Sequence, residues 1–202
     1  MARSFISGLI LGAGASQRLG PPKQLLPFRG TTMLGWVAQQ VQLAASLDEV
    51  VVVLGRAADE VRERVDFGAA RVVENTVFSE GCSSSYRAGL GALNPESQAV
   101  MIILGDQPGI QPEVIDHLAE EWRRQESLIA LCAYRGRKGH PMIFAQPMFA
   151  QLTQLHGDKA AWKLVDANAD QVQVIEFDLP FPDDINTAAD VERLSATGKT
   201  GK

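Results

Sequence analysis

A chain of 202 residues with 46% apolar and 21% charged content can build one full hydrophobic core. A net charge of −5 and a pI of 5.2 exclude nucleic-acid binding through a basic surface, so any anionic ligand must be held by local charge. The two cysteines, Cys82 and Cys132, form no C-x-x-C and fit a reduced cytoplasmic protein, and no apolar run approaches the roughly 20 residues that span a bilayer.

The first element is the apolar run Phe5–Leu11, which breaks into Gly12-Ala13-Gly14-Ala15-Ser16. That pattern reads as a buried strand feeding a tight loop. Arg3 before it and Ala13-Gly14-Ala15 after it faintly mimic a secretory leader. The run is short and carries Gly8, and the cationic loop beyond it makes better sense retained, so a cytoplasmic location is expected. Small residues let backbone N–H groups approach a ligand and form a concavity for anions. Arg18 and Lys23, on a loop held by Pro21 and Pro22, add charge, which predicts a nucleoside triphosphate site. Gln17 breaks a dinucleotide-binding G-x-G-x-x-G, and Lys23 between Pro22 and Gln24 breaks a P-loop.

Thr31 or Thr32 caps a predicted helix running to about Ser46, with Leu34, Val37, Ala38 and Val41 on one face. Glu49–Leu54 is a continuous apolar run, as buried parallel strands are, and Gly55 ends it. Residues 57–66 read as a charged helix and Arg71–Glu74 as a short strand. Gly81-Cys82-Ser83-Ser84-Ser85 then precedes a predicted helix Tyr86–Leu93. Those serines either cap the helix or contact a ligand at its N-terminus.

Ala99–Leu104 is the most apolar strand, and Gly105-Asp106-Gln107-Pro108 follows it. Asp106 is either a turn or N-cap residue for the helix Pro112–Arg124 or a carboxylate suited to Mg²⁺ beyond a strand end. Leu128–Tyr134 and His140–Phe144 read as a hairpin around the cationic turn Arg135–Gly139, with one antiparallel strand in a mostly parallel sheet. The three cations are a solvated turn or a second phosphate contact, and His140 has a structural, substrate-shaping or catalytic role. A short helix follows Pro147, Lys159–Val165 is helical, and Val172–Phe177 is the last strand. Asp183, Asp184 and Asn186 cluster beyond it, ahead of a helix Ala188–Leu194 and a polar tail 195–202. The alternation predicts one α/β domain over 1–202.

In order, the motifs are Leu11–Gly20 with Lys23–Pro27, Gly81–Ser85, Gly105–Pro108, Gly139-His140-Pro141, Gly157-Asp158-Lys159 and Asp184–Thr187. Over residues 5 to 194 this set resembles the molybdenum cofactor cytidylyltransferase family, in the MobA-like nucleotidyltransferase superfamily. Leu11-Gly12-Ala13-Gly14 stands where this branch usually has Leu-Ala-Ala-Gly and the guanylyltransferase branch Leu-Ala-Gly-Gly, so Ala13 points to the cytidine side. The resemblance implies a three-layer α/β/α Rossmann-like fold and transfer of CMP from CTP to the terminal phosphate of molybdopterin cofactor, with release of pyrophosphate. Under it, Leu11, Gly12, Ala13, Gly14 and Ser16 wrap the triphosphate, and Arg18 and Lys23 neutralise it. Asp106, Asn186 and Asp184 hold Mg²⁺, Gly81 and Ser85 meet base and ribose, and His140, Asp158 and Lys159 face the acceptor. The partners implied are CTP, molybdopterin cofactor and a molybdoenzyme client, with no nucleic acid and no membrane. The alternatives are a GTP- or other NTP-dependent transferase with a different phosphate acceptor, and a delivery chaperone for the cofactor. Such a transfer needs no nucleophilic side chain, so Lys23→Ala or Asp106→Ala is expected to abolish turnover with thermal stability nearly unchanged.

Overall fold

The apolar run at the start of the chain becomes β1, Ile6–Gly12, the strand from which the sheet extends in both directions. The computed structural model describes residues 3–14, 22–155, 160–185 and 190. After β1 come a small hairpin, β2 (Pro27–Phe28) and β3 (Thr31–Thr32), then α1 (Met33–Leu43), β4 (Glu49–Leu54), α2 (Ala58–Arg64) and β5 (Arg71–Glu74). The chain continues through α3 (Cys82–Leu90), β6 (Ala99–Leu104), α4 (Pro112–Gln125) and the hairpin β7 (Ile129–Tyr134) and β8 (Arg137–Ala145). It closes with α5 (Phe149–Gln154), α6 (Ala160–Ala167) and β9 (Val172–Phe177).

The large sheet has the order β5-β4-β1-β6-β8-β7-β9. β8 runs antiparallel to both its neighbours, and the other pairings are parallel. Successive side chains point to opposite faces of a strand, and both faces are covered here. Ile6, Ile10, Val52, Met101 and Ile103 pack under α1, α2 and α4, while Leu9, Val51, Val53, Val100 and Ile102 pack under α3, α5 and α6. This is the expected three-layer α/β/α arrangement, and it explains why the strands read as continuous apolar runs. Each such side chain contributes roughly 1.5–3 kcal/mol on leaving water, so the central strands form a rigid base for the loops at their carboxyl ends.

Several helix boundaries differ from expectation, two of them for a visible reason. α1 stops at Leu43 rather than Ser46 because Ala44 turns extended and the Asp116 carboxylate of α4 accepts from the N–H groups of Ala45 and Ser46. α3 starts at Cys82 rather than Tyr86: Gly81, at φ 97°, makes the sharp entry, so the serines lie inside the first turn. The cationic turn is also shorter than expected. Arg135 and Gly136 alone form it, both with positive φ, and Arg137, Lys138 and Gly139 belong to β8. Among the described residues no helix is long and apolar enough to cross a membrane.

The chain leaves β1 to one side through β4 and β5, then returns to β6 on the other. In open α/β sheets such a reversal opens a crevice beyond the carboxyl ends of the two strands, where ligands bind. That places the candidate site beyond Gly12 of β1 and Leu104 of β6.

Candidate functional site

The floor of the site is bare backbone. Gly12-Ala13-Gly14 leaves β1 between two glycines, Gly55 after β4 and Gly105 after β6. A Cβ on Gly55 would lie 2.7 Å from the Ala13 carbonyl oxygen, and one on Gly105 would lie 2.9 Å from that of Leu11 and 3.3 Å from Gly12 Cα. Only glycine at both positions lets the three strand ends approach this closely. Gln24 pins the segment: its Nε2 donates to the carbonyls of Gly12 (2.6 Å) and Gly14 (3.0 Å).

Charge gathers at one end of this floor. Lys23 Nζ lies 2.5 Å from Asp106 Oδ2, with the two side chains 16% and 24% exposed. The loop carrying Asp106 is tied down twice. Ile185 N donates to the Asp106 carbonyl at 2.9 Å, and Trp36 Nε1 donates to that of Pro108 at 3.0 Å. Gln107 Nε2 donates to Asp184 Oδ1 at 2.7 Å, which brings the second acidic loop alongside. Burial raises the Asp184 carboxyl above its ordinary range; the Gln107 bond opposes this, Asp106 adds to it, and Lys23 and Arg137 oppose it. Lys23, Asp106, Asp184 and Arg137 therefore form one electrostatic cluster. Asp106 is engaged through Oδ2 and Asp184 through Oδ1, so each keeps an oxygen for a cation. Among the described residues no group of three or more His, Cys, Asp or Glu side chains is placed to hold a metal ion. Mg²⁺ is held by one or two carboxylates together with phosphate oxygens and water, and this donor set fits that requirement.

Beside the cluster opens a cleft of about 620 Å³. Leu11, Ala13, Gly14, Leu104 and Asp106 line its sheet side. Phe78, Ser79, Gly81, Cys82 and Ser85 line the opposite wall at the start of α3, and Arg56 guards the remaining edge. Ser84 donates to the Gly81 carbonyl at 2.7 Å, and Asn75 Nδ2 donates to the hydroxyls of Ser84 (2.7 Å) and Ser85 (3.1 Å). Asn75 thus fixes the serine pair, leaving Ser85 at the cleft wall.

His140 lies on β8 two residues beyond the Ile102–Met142 pair of the β6–β8 ladder. Its imidazole stands edge-on to Trp162, with centroids 6.1 Å apart, and its buried Nε2 has no hydrogen-bond partner among the described residues. Burial pushes its pKa down to about 4, with Asp106 opposing. The peptide His140–Pro141 is cis, and Tyr134 Oη donates to the His140 carbonyl at 2.7 Å.

The structure thus brings together Leu11, Gly12, Ala13, Gly14, Lys23, Gly81, Ser85 and Asp106 around one crevice, with Asp184 joined to it through Gln107, and it places His140 on β8 against Trp162. Ser16, Arg18, Asp158, Lys159 and Asn186, named from the sequence, lie outside the described residues. Sequence reasoning missed Arg56, Phe78 and the clamp by Gln24. Arg56 was legible by the rule that singled out Asp106, since it too follows a glycine at the carboxyl end of a parallel strand.

Comparison with known proteins gives these features a context. The sequence model of a family described as MobA-like NTP transferase domain matches residues 8–185. A protein of Paenarthrobacter nicotinovorans named nicotine blue oxidoreductase is 36% identical over 146 residues, covering 68% of this chain and 70% of that protein. The molybdenum cofactor cytidylyltransferase of Escherichia coli K12 is 25% identical over 197 residues, covering 92% and 96%. Among solved structures, Rv0371c of Mycobacterium tuberculosis superposes with a TM-score of 0.87 at 34% identity, over 96% of this chain and all of that one. A complex of Rv0371c with manganese superposes with a TM-score of 0.82, at 33% identity over 96% of this chain and all of that one.

Proposed function

The chain belongs to the MobA-like NTP transferase family, and on that premise we propose that it transfers CMP from CTP to the terminal phosphate of molybdopterin cofactor. The observation that carries this reading is the backbone floor Gly12–Gly14 with the Lys23–Asp106 pair at its end. A floor without side chains admits a polyphosphate to backbone N–H groups. A lysine point charge suits its β- and γ-phosphates. The cleft between Leu11, Phe78 and Ser85 takes the nucleoside, with Arg56 at its open edge.

In the reaction an oxygen of the acceptor phosphate attacks the α-phosphorus of CTP. The bond from that phosphorus to the bridging oxygen breaks, and the electron pair leaves with pyrophosphate. Both reactants are anions, so the difficulty is bringing them together and stabilising the charge that develops on the leaving group. Lys23 neutralises the leaving phosphates, with Arg18 in support, and the backbone of Gly12–Ser16 orients them. Asp106, with Asp184 and Asn186, would hold Mg²⁺. When bound there, the ion supplies Lewis-acid stabilisation of the phosphate oxygens. His140, with Asp158 and Lys159, faces the acceptor.

The test is pyrophosphate release by the purified protein with Mg²⁺ and molybdopterin cofactor, supplying CTP, GTP, ATP and UTP in turn. Release with CTP alone is expected. Release with GTP moves the chain to the guanylyl branch. No release with any nucleotide rejects the reading, and oxidation or reduction of nicotine blue would instead align the chain with its relative named nicotine blue oxidoreductase.

A further inference from the structure

The β7–β8 hairpin presents three cations in four residues, Arg135, Arg137 and Lys138, and they are not equivalent. Arg135 is committed, its Nε 2.8 Å from Asp178 Oδ1. Arg137 is held differently. Its guanidinium carbon lies 3.6 Å from the centroid of the Phe181 ring. It makes no hydrogen bond or ion pair among the described residues.

A guanidinium held over an aromatic ring keeps its N–H donors pointing outward from its rim, where they match two oxygens of a phosphate or carboxylate. The surroundings hold this one in place. Phe181 fills the space that a side chain on Gly139 would need, with Cε2 2.7 Å from an ideal Cβ, and its ring stands edge-on to Tyr134 at 5.7 Å. Residues two apart share a face of a strand, so Arg137 and Gly139 meet the same ring while Lys138 points to the other side. The segment that carries Phe181 continues through Pro182, which packs at Gly109, to Asp184, bonded by Gln107, and to Ile185, whose N–H donates to the Asp106 carbonyl, so the ring under Arg137 belongs to the loop that borders the acidic end of the crevice.

We propose that Arg137 is the anion anchor for the acceptor: a phosphate monoester enters from the β7–β8 side and docks on the outward rim of the guanidinium stacked on Phe181. This rests on the nucleotidyl-transfer reading for its reaction, though not for the binding of the anion. It divides the crevice into a nucleotide half, on the side of Arg56 and Ser85, and an acceptor half ending at Arg137.

Two measurements test it. With wild-type protein labelled with nitrogen-15, titration with inorganic phosphate should shift the Arg137 Nε–H resonance in a saturable way, and Arg137→Gln identifies that resonance by its loss. No saturable shift overturns the proposal. In the pyrophosphate assay with molybdopterin cofactor, Arg137→Gln should raise the acceptor KM by roughly tenfold or more, with the KM for CTP unchanged. Arg137→Lys should recover only part of that loss, because it restores the charge without the fork. An unchanged acceptor KM, or equal rises in both KM values, overturns the proposal in favour of a packing role on Phe181. If wild-type protein releases no pyrophosphate, the transfer reading fails by itself, and the phosphate titration still decides whether Arg137 binds anions.

Discussion

Replacing Lys23 by methionine separates the structural from the chemical use of its charge. The ammonium lies 2.5 Å from Asp106 Oδ2, and both side chains are at least three-quarters covered. Removing one partner of a fully buried pair costs about 3–5 kcal/mol, because the other charge is left uncompensated, whereas an exposed pair is worth about 0–1 kcal/mol. The partial exposure here places the cost between these limits, at about 2 kcal/mol. For a chain of this size that lowers Tm by roughly 4–8 °C. The sequence-based expectation of nearly unchanged thermal stability does not include this pairing, and the melts decide between the two. Because the cost resides in the stranded carboxylate, adding Asp106→Asn to Lys23→Met should recover most of the lost stability. Pyrophosphate release should stay below about one hundredth of wild type in both single variants and in the double variant. Thermal melts and the release assay on the four proteins complete a double-mutant cycle. A double variant no more stable than Lys23→Met, or turnover in Lys23→Met within tenfold of wild type, would refute the reasoning.

His140 makes stability depend on pH. Above its ordinary pKa near 6.5 the imidazole is neutral in folded and unfolded chains alike, and pH has no effect through it. Between 6.5 and about 4 only the unfolded chain takes up the proton, so stability falls with pH by up to roughly 3 kcal/mol and levels off below. Urea midpoints from pH 7 to 4.5 should show this slope in wild type and a flatter one in His140→Gln; equal slopes would assign the acid limb to other groups. Gly55→Ala should force the Ala13 carbonyl to move, costing about 1–3 kcal/mol and weakening CTP binding, while Gly14→Ala, whose Cβ meets Lys23 Cε at an ordinary 3.5 Å, should leave Tm within about 1 °C. Melting curves and CTP titrations check both, and equal behaviour of the two variants would show that the strand ends are not closely packed.

The fold was legible where the physics is local. Continuous apolar runs marked strands covered on both faces, and the cationic break Arg135–Gly139 marked the hairpin that makes β8 antiparallel, though three of its residues belong to the strand. It was less legible where a distant side chain decides. Nothing near Ser46 announces that Asp116, 70 residues away, accepts its N–H and helps draw the chain off α1. Nor does the triple serine reveal that none of its hydroxyls caps α3 and that Asn75 bonds two of them, holding Ser85 at the cleft wall. The order of the strands was likewise absent from the periodicity, which records burial but not which neighbour lies on which side.

The site divides along the same line. Lys23 and Asp106 stood out by residue type and by their place after apolar strands, but their mutual pairing spans 83 residues and exists only once β1 and β6 are adjacent. Gln107 and Asp184 meet across 77 residues for a similar reason, through the loop that Ile185 ties to Asp106. The part of the crevice that the sequence announced most clearly, the glycine floor, is the part least able to choose a substrate, since it offers backbone alone. On the proposed reading, choice among bases falls to Arg56, Phe78 and Ser85, and choice among acceptors to Arg137 and His140, all carried by other segments. A scaffold arranged this way can exchange either half without disturbing the floor. One family can therefore include relatives named for cytidylyl transfer and for oxidoreduction, and function must be argued from the walls of the crevice rather than from its fold.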